Sequence, residues 1–165
     1  MKKYEFTGET KFWFGRTLHR IKAVVSFGTV QAGELGGWIE KEGNLDHSGN
    51  AWVSDNAMVY GNAMVYGNAT VYGNVMVSDN AMVYGRKHIL WISMIGSRDD
   101  TVTFMRSKEK KIIVAAGCFR GTIDDFEKAV KETHGDNEHA KAYLLTIELA
   151  KLRIDLNEEE GEADA

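Results

Sequence analysis

Residues 57–68 read AMVYGNAMVYGN, one hexad written twice, and near-copies continue on both sides. In register the run is LDHSGN, AWVSDN, AMVYGN, AMVYGN, ATVYGN, VMVSDN and AMVYGR, from Leu45 to Arg86. A period of six excludes an amphipathic helix, because 3.6 residues per turn cannot hold that pattern on one face. It suits about four extended residues followed by a two-residue corner, and a fixed short period of this kind marks a parallel β-helix. The chain has 17 Gly and no Pro, so its corners must be built from residues that accept positive φ. Gly61-Asn62, Gly67-Asn68 and Gly73-Asn74 are the expected corners, with Asp55-Asn56 and Asp79-Asn80 in the same role.

Strand alternation sorts the side chains of each hexad. Val53, Val59, Val65, Val71, Val77 and Val83 are expected inside, beside Ala51, Ala57, Ala63, Ala69 and Ala81. Trp52, Met58, Met64, Thr70, Met76 and Met82 are expected outside, each followed by an outward Ser54, Tyr60, Tyr66, Tyr72, Ser78 or Tyr84. A solvated outer surface would carry Lys, Glu and Thr. This one carries Met, Trp and Tyr, which points to contact with something.

The hexads resemble the hexapeptide-repeat family, whose fold is a left-handed β-helix. The resemblance implies the handedness and a triangular coil of three hexads; the spacing alone implies neither. In the usual family hexad an aliphatic residue precedes Gly, whereas here Tyr or Ser follows the Val and Gly comes one place later. Stacking at 18 residues would put Met64, Tyr66, Met82 and Tyr84 on one side of the prism. Met58, Tyr60, Met76 and Ser78 would share the second side, and Trp52, Ser54, Thr70 and Tyr72 the third. Seven hexads give about 2.3 coils, about 11 Å of stacked strands. So short a solenoid needs capped ends and neighbours. Oligomer contact is therefore expected at Met64, Tyr66, Met82 and Tyr84, extending to Met58 and Tyr60. The resemblance favours a homotrimer.

Outside the repeat, KYEFTGET (Lys3 to Thr10), TLHRIKAV (Thr17 to Val24), AGELGGWIEKEGNL (Ala32 to Leu45) and GNAWV (Gly49 to Val53) are similar to a family of phage- and prophage-encoded hexapeptide-repeat proteins. IGSR (Ile95 to Arg98), GCFRGT (Gly117 to Thr122) and THGDNEHAKAY (Thr133 to Tyr143) are similar to the same family's C-terminal segment, with Met94 where Pro is expected. The family brings no established chemistry. Its members are described through the repeat, as polymer-forming or transferase-like.

The expected class is mainly β, with four zones. Residues 1–44 form an N-terminal β cap and the start of the β-helix, 45–86 the short left-handed parallel β-helix of hexads, 87–154 a small α+β domain, and 155–165 an acidic disordered tail. In the third zone HILWISMI, TVTFM and KIIVAAG read as three strands. Thr122 then caps a first helix with Asp125 at the capping-box position, and Gly135 stops it. Asn137 caps a second helix whose inward stripe is Ala140, Tyr143, Leu144, Ile147, Ala150 and Ile154.

Charge argues against a nucleic-acid partner: the net charge is −4, and without the six acids of the tail the body is nearly neutral. Cys118 is the only cysteine, so no intrachain disulfide is possible, and it is read as a buried residue ending an apolar strand. The N-terminus lacks a signal-peptide h-region and no apolar run reaches 18 residues, so a cytoplasmic location in the host cell and no membrane partner are expected.

The chemistry candidates are few. Acyltransferases among hexapeptide-repeat proteins use a His general base, which makes a CoA-dependent acyltransferase one alternative. His47, in the first and degenerate hexad, is read as a rim residue instead. His134 and His139 flank a helix start and are not expected to share a metal; no metal or cofactor is called for. Arg98, Arg120 and Thr122 are the expected ligand site, two guanidiniums beside a helix N-terminus that suit a phosphate or carboxylate. The expected function is a non-enzymatic oligomeric binding protein of a phage or prophage, holding a nucleotide-derived host defence signal between protomers. The second alternative is a scaffold that meets a protein partner through its Met/Tyr faces.

Overall fold

The computed structural model describes residues 1–159. The chain opens with an antiparallel hairpin, β1 (Tyr4–Trp13) and β2 (Arg16–Ala23), and β3 (Leu35–Ile39) pairs antiparallel on β2. Each of the next hexads then contributes a two-residue strand: β4 (Trp52–Val53), β5 (Met58–Val59), β6 (Met64–Val65), β7 (Thr70–Val71), β8 (Met76–Val77) and β9 (Met82–Val83). Trp52 pairs in parallel with Thr70, Met58 with Met76 and Met64 with Met82, so stacked positions are 18 residues apart. The N–H groups of Trp52, Met58 and Met64 donate to the carbonyls of Ala69, Val75 and Ala81 at 3.0, 2.9 and 2.9 Å. The alternation holds inside the prism, where all six hexad valines and the five alanines are buried.

The corners are where the sequence places them. Gly61, Gly67 and Gly73 take positive φ, and Asp55 and Asp79 take φ of 54° and 57° at the equivalent position. Asp suits this place for a second reason: the Asp55 carboxylate accepts from the Gly73 N–H one coil on, at 3.1 Å. Glu40 does the same for Gly61 N–H at 2.7 Å while its two oxygens hold Arg16.

The parallel stack reaches back beyond the first hexad into the first zone. β3 pairs with β5, Trp38 opposite Met58, and Leu45 bridges to Val65. The first rim is closed by the N-terminus. Lys3 is buried and donates to the carbonyls of Ser48 and Ala51 at 3.3 and 2.7 Å. Burial holds its ammonium down to about 8. The Tyr4 hydroxyl lies 3.0 and 2.9 Å from the carbonyls of Glu42 and Leu45, and the buried Asn44 amide donates to Ala63 O at 2.8 Å.

The far rim meets a four-stranded antiparallel sheet, one strand more than expected: β10 (Ile89–Ile95), β11 (Asp100–Arg106), β12 (Ile112–Ala116) and β13 (Phe119–Thr122). The FRGT segment, read as a lead-in to a helix, pairs on β12 because the Gly117–Cys118 turn folds it back. Alternation divides this sheet between two cores. Met105, Ile113 and Ala115 join the solenoid core, and Thr103 Oγ1 accepts from Met76 N–H at 3.5 Å. Val102, Phe104, Ile112 and Val114 face the helices α1 (Ile123–His134) and α2 (Glu138–Arg153). Thr122 and Asp125 form the expected capping box and Asn137 caps α2. No helix among the described residues is long and apolar enough to cross a membrane.

The tail departs from the expectation of a disordered end at Asp155. Residues 155–159 run back over the last coil, and Glu158 is buried. Its carboxylate reaches the buried His88 at 2.9 Å, its carbonyl accepts from Arg106 at 2.8 Å, and Glu159 O accepts from the Tyr84 hydroxyl. The remaining tail positions, 160–165, lie outside the described residues.

Two tests follow from this architecture. A Cβ at Gly61 would sit 3.4 Å from the Asp79 backbone, but one at Gly67 would sit 2.9 Å from Tyr84 O. Gly61→Asp should therefore change unfolding stability by less than about 1 kcal/mol, and Gly67→Asp should cost at least about 2 kcal/mol more, measured by urea titration. The second concerns His88, whose ring burial and the adjacent Arg106 lower its pKa from 6.5 to about 4. The folded ring refuses a proton that the unfolded one accepts below pH 6.5, so stability present above that pH is lost as pH falls toward 4. Between pH 7 and 4.5 the His88→Gln variant should lose about 2 kcal/mol less than the parent chain.

Candidate functional site

Half of the outward Met and Tyr set is covered by the chain itself: Met58, Met76, Tyr60 and Tyr84 are buried. Met58 and Tyr60 are 7% and 6% exposed, so they do not belong to an oligomer surface. Arg16 lies over the Tyr60 ring at 5.7 Å. Tyr84 is buried, stacked on Tyr66. Trp52 is buried under Phe27. Met64, Tyr66 and Met82 remain half-buried along the β6–β9 side.

The expected anion site at Arg98, Arg120 and Thr122 does not assemble. The Arg120 guanidinium is spent inside the chain, donating to Tyr60 Oη at 2.7 Å, to Gly117 O at 2.8 Å and to Phe119 O. Its Nη2 also lies 3.2 Å from Met76 Sδ. Thr122 is engaged as the N-cap, its hydroxyl 2.8 Å from Asp125 Oδ2. Asp124 and Asp125 already place negative charge at that helix start, so a further anion is disfavoured there.

Arg98 takes part in a different site. A cleft of about 490 Å³ opens between the β1–β2 hairpin tip, the β5–β8 side of the prism and two turns of the C-terminal sheet. The hairpin brings Lys11, Trp13 and Phe14, the last in a positive-φ turn and 58% exposed. The prism supplies Met58 and Met76 from its strands and Asn56 and Asn74 from its corners. The sheet supplies Arg98, Asp100 and the Gly117–Cys118 turn. Such a volume is in the range of small-ligand sites.

The cleft is aromatic, amide-bearing and cationic. Trp13 and Phe14 meet edge to face, centroids 4.9 Å apart, and the Trp13 indole N–H is buried with no partner among the described residues. The Asn56 amide reaches Asn74 Oδ1 at 3.4 Å, leaving donors and acceptors available along both amides. Among the described residues Lys11 and Arg98 make no ion pair. Burial, and after it the nearby Arg20, lower the Lys11 pKa, and its ammonium lies over the Trp38 ring at 4.5 Å. Asp100 is the one carboxylate among the lining residues.

The other candidates fall into place around it. His47 accepts from the Lys3 N–H at 3.2 Å and stacks on Tyr4, a rim position. Cys118 is exposed at the turn, not buried, because its strand ends two residues earlier. It borders both the cleft and an adjoining recess of about 300 Å³ that includes His134 and Tyr143. His134 and His139 come within ring contact, 5.6 Å, across the turn between the helices. No group of three His, Cys, Asp or Glu suited to a metal occurs among the described residues. Lys11, Trp13 and Phe14 were missed because the first zone was read only as a cap; the signal was the run of aromatics before a turn glycine, KFWFG.

A comparison with curated proteins gave no match. A family model described as the YdcK Beta solenoid repeat matches residues 51–66, 57–73 and 63–78, three overlapping windows that advance in steps of the hexad. The central hexads are thus a β-solenoid repeat similar to that family's.

Proposed function

We propose that this chain is a binding protein for a planar, anionic small molecule of the nucleotide-derived kind, taken up in the cleft at the hairpin tip. The observation that carries the reading is the convergence of Lys11 and Arg98, neither ion-paired among the described residues, on a cleft walled by Trp13, Phe14, Met58 and Met76. A phosphate would pair with the two cations. A base would lie against the exposed Phe14 ring, where every base offers a π-face. The amides of Asn56 and Asn74 would meet its edge. Carriage by a phage and left-handed winding come to this reading from the resemblance of the sequence; capture of a host defence signal extends the nucleotide reading to a phage-borne protein and does not draw on Arg120. A hexapeptide-type acyltransferase has less support, since the cleft has no histidine among its lining residues.

Calorimetry with a panel of cyclic nucleotides, nucleoside monophosphates and ADP-ribose derivatives tests this. At least one should bind with one site per chain, and both Arg98→Glu and Phe14→Ala should weaken it about tenfold or more. Silence across the panel, or affinity unmoved by both variants, would remove the reading.

A second element rests on the half-buried Met64, Tyr66 and Met82. These residues form an uncharged strip on the β6–β9 side, and the protein self-associates there, with three-fold assembly favoured. Sedimentation velocity should show a concentration-dependent species larger than the monomer, absent in Met64→Glu. Monomer alone at every concentration sinks this part.

A further inference from the structure

The third side of the prism carries a feature unrelated to the cleft. Tyr72 is 51% exposed, unlike Tyr60 and Tyr84 at the same hexad position. Its ring meets Trp91 edge to face, centroids 4.8 Å apart at 86°. The indole reaches the Gly73 corner, where a Cβ would lie 4.0 Å from Trp91 Nε1. A groove of about 640 Å³ runs along this pair, lined also by Thr70, Arg86, Ile89 and Leu90. Arg86 is exposed and makes no ion pair among the described residues.

The chemistry differs from that of the cleft. The groove has no amide and no carboxylate among its lining side chains, so it lacks the fixed planar donor–acceptor pair that the cleft's asparagines offer a base edge. It offers two hydroxyls, Thr70 and Tyr72, and one guanidinium beside aromatic and aliphatic surface. A pyranose ring fits that combination. Its C–H face is drawn to the negative face of an aromatic ring. Its hydroxyls exchange hydrogen bonds with Thr70 and Tyr72, and an anionic substituent pairs with Arg86.

We infer that the Tyr72–Trp91–Arg86 groove is a second ligand site, for a sugar ring that carries one anionic group. The site lies on the β4–β7 side of the prism and is independent of the ligand proposed for the hairpin cleft.

Amide NMR titrations of the full chain with methyl glucuronide, glucose 6-phosphate and uncharged methyl glucoside test the assignment. The two charged sugars should give saturable shifts at Tyr72, Arg86 and the Trp91 indole N–H, both stronger than methyl glucoside. Their relative strength separates carboxylate from phosphate as the preferred group. Tyr72→Ala should weaken both about fivefold or more, and Arg86→Gln should bring them to the level of methyl glucoside. Both residues are exposed, and unchanged urea midpoints would verify that the variants fold. Shifts that do not saturate, that keep the parent affinity in Tyr72→Ala, or that appear at Arg98 instead would overturn the inference. So would saturation of this groove by adenosine monophosphate without any by the charged sugars.

Discussion

The constraint on which everything else depends is the backbone ladder between coils. Each strand contributes two residues and hands its N–H groups to carbonyls one coil on, as Trp52 does to Ala69 and Tyr60 to Val77. In a tall solenoid such a ladder supplies its own partners almost everywhere. In one with so few hexads, a large share of the polar backbone sits on a rim, where an unpaired buried group costs about 1–3 kcal/mol. The non-repeating parts of the chain answer that demand. Lys3, Tyr4 and Asn44 take the carbonyls of the first rim. Thr103 takes the Met76 N–H, and Asn80 O accepts from Lys108 at the other. The cleft at the hairpin tip lies where hairpin and sheet overhang the β5–β8 side of the prism.

Tyr60 joins the three parts. Arg16 of the hairpin lies over its ring, and Arg120 of the C-terminal sheet donates to its hydroxyl. Two guanidiniums are thereby consumed in positioning, whereas Arg98, on an exposed turn, makes no ion pair among the described residues. Tyr60 and Met58 are buried by these returning parts of the chain.

The local physics of the solenoid was legible in the order of residues. The Val and Ala of each hexad, the positive-φ corners and both helix caps follow from alternation, backbone sterics and side-chain hydrogen bonding. What could not be read was anything set by the return of distant chain. Met58 and Met64 occupy the same hexad position, yet only Met58 is overlaid by distant parts of the chain. β13 depends on the turn at Cys118, and the cleft on a hairpin tip more than forty residues before Met58. Glu158 was assigned to solvent because its neighbours are acidic; His88 and Arg106, far earlier in the chain, draw it in.

The sheet shared by two cores has a consequence for how such a chain can lengthen. Its β11 and β12 close the prism end, with Met105, Ile113 and Ala115 joining the solenoid core and Thr103 bonded to the Met76 N–H of one side. One extra hexad would turn the final strand by a third of a revolution and present the sheet with the wrong side, parting the hairpin from its seat beside Arg98 and Arg120. A whole extra coil would keep the azimuth and only raise the sheet by one strand spacing, about 4.8 Å. Growth of this architecture is therefore quantised in coils, although the sequence repeats in hexads, and even one coil would pull the cleft's upper and lower walls apart.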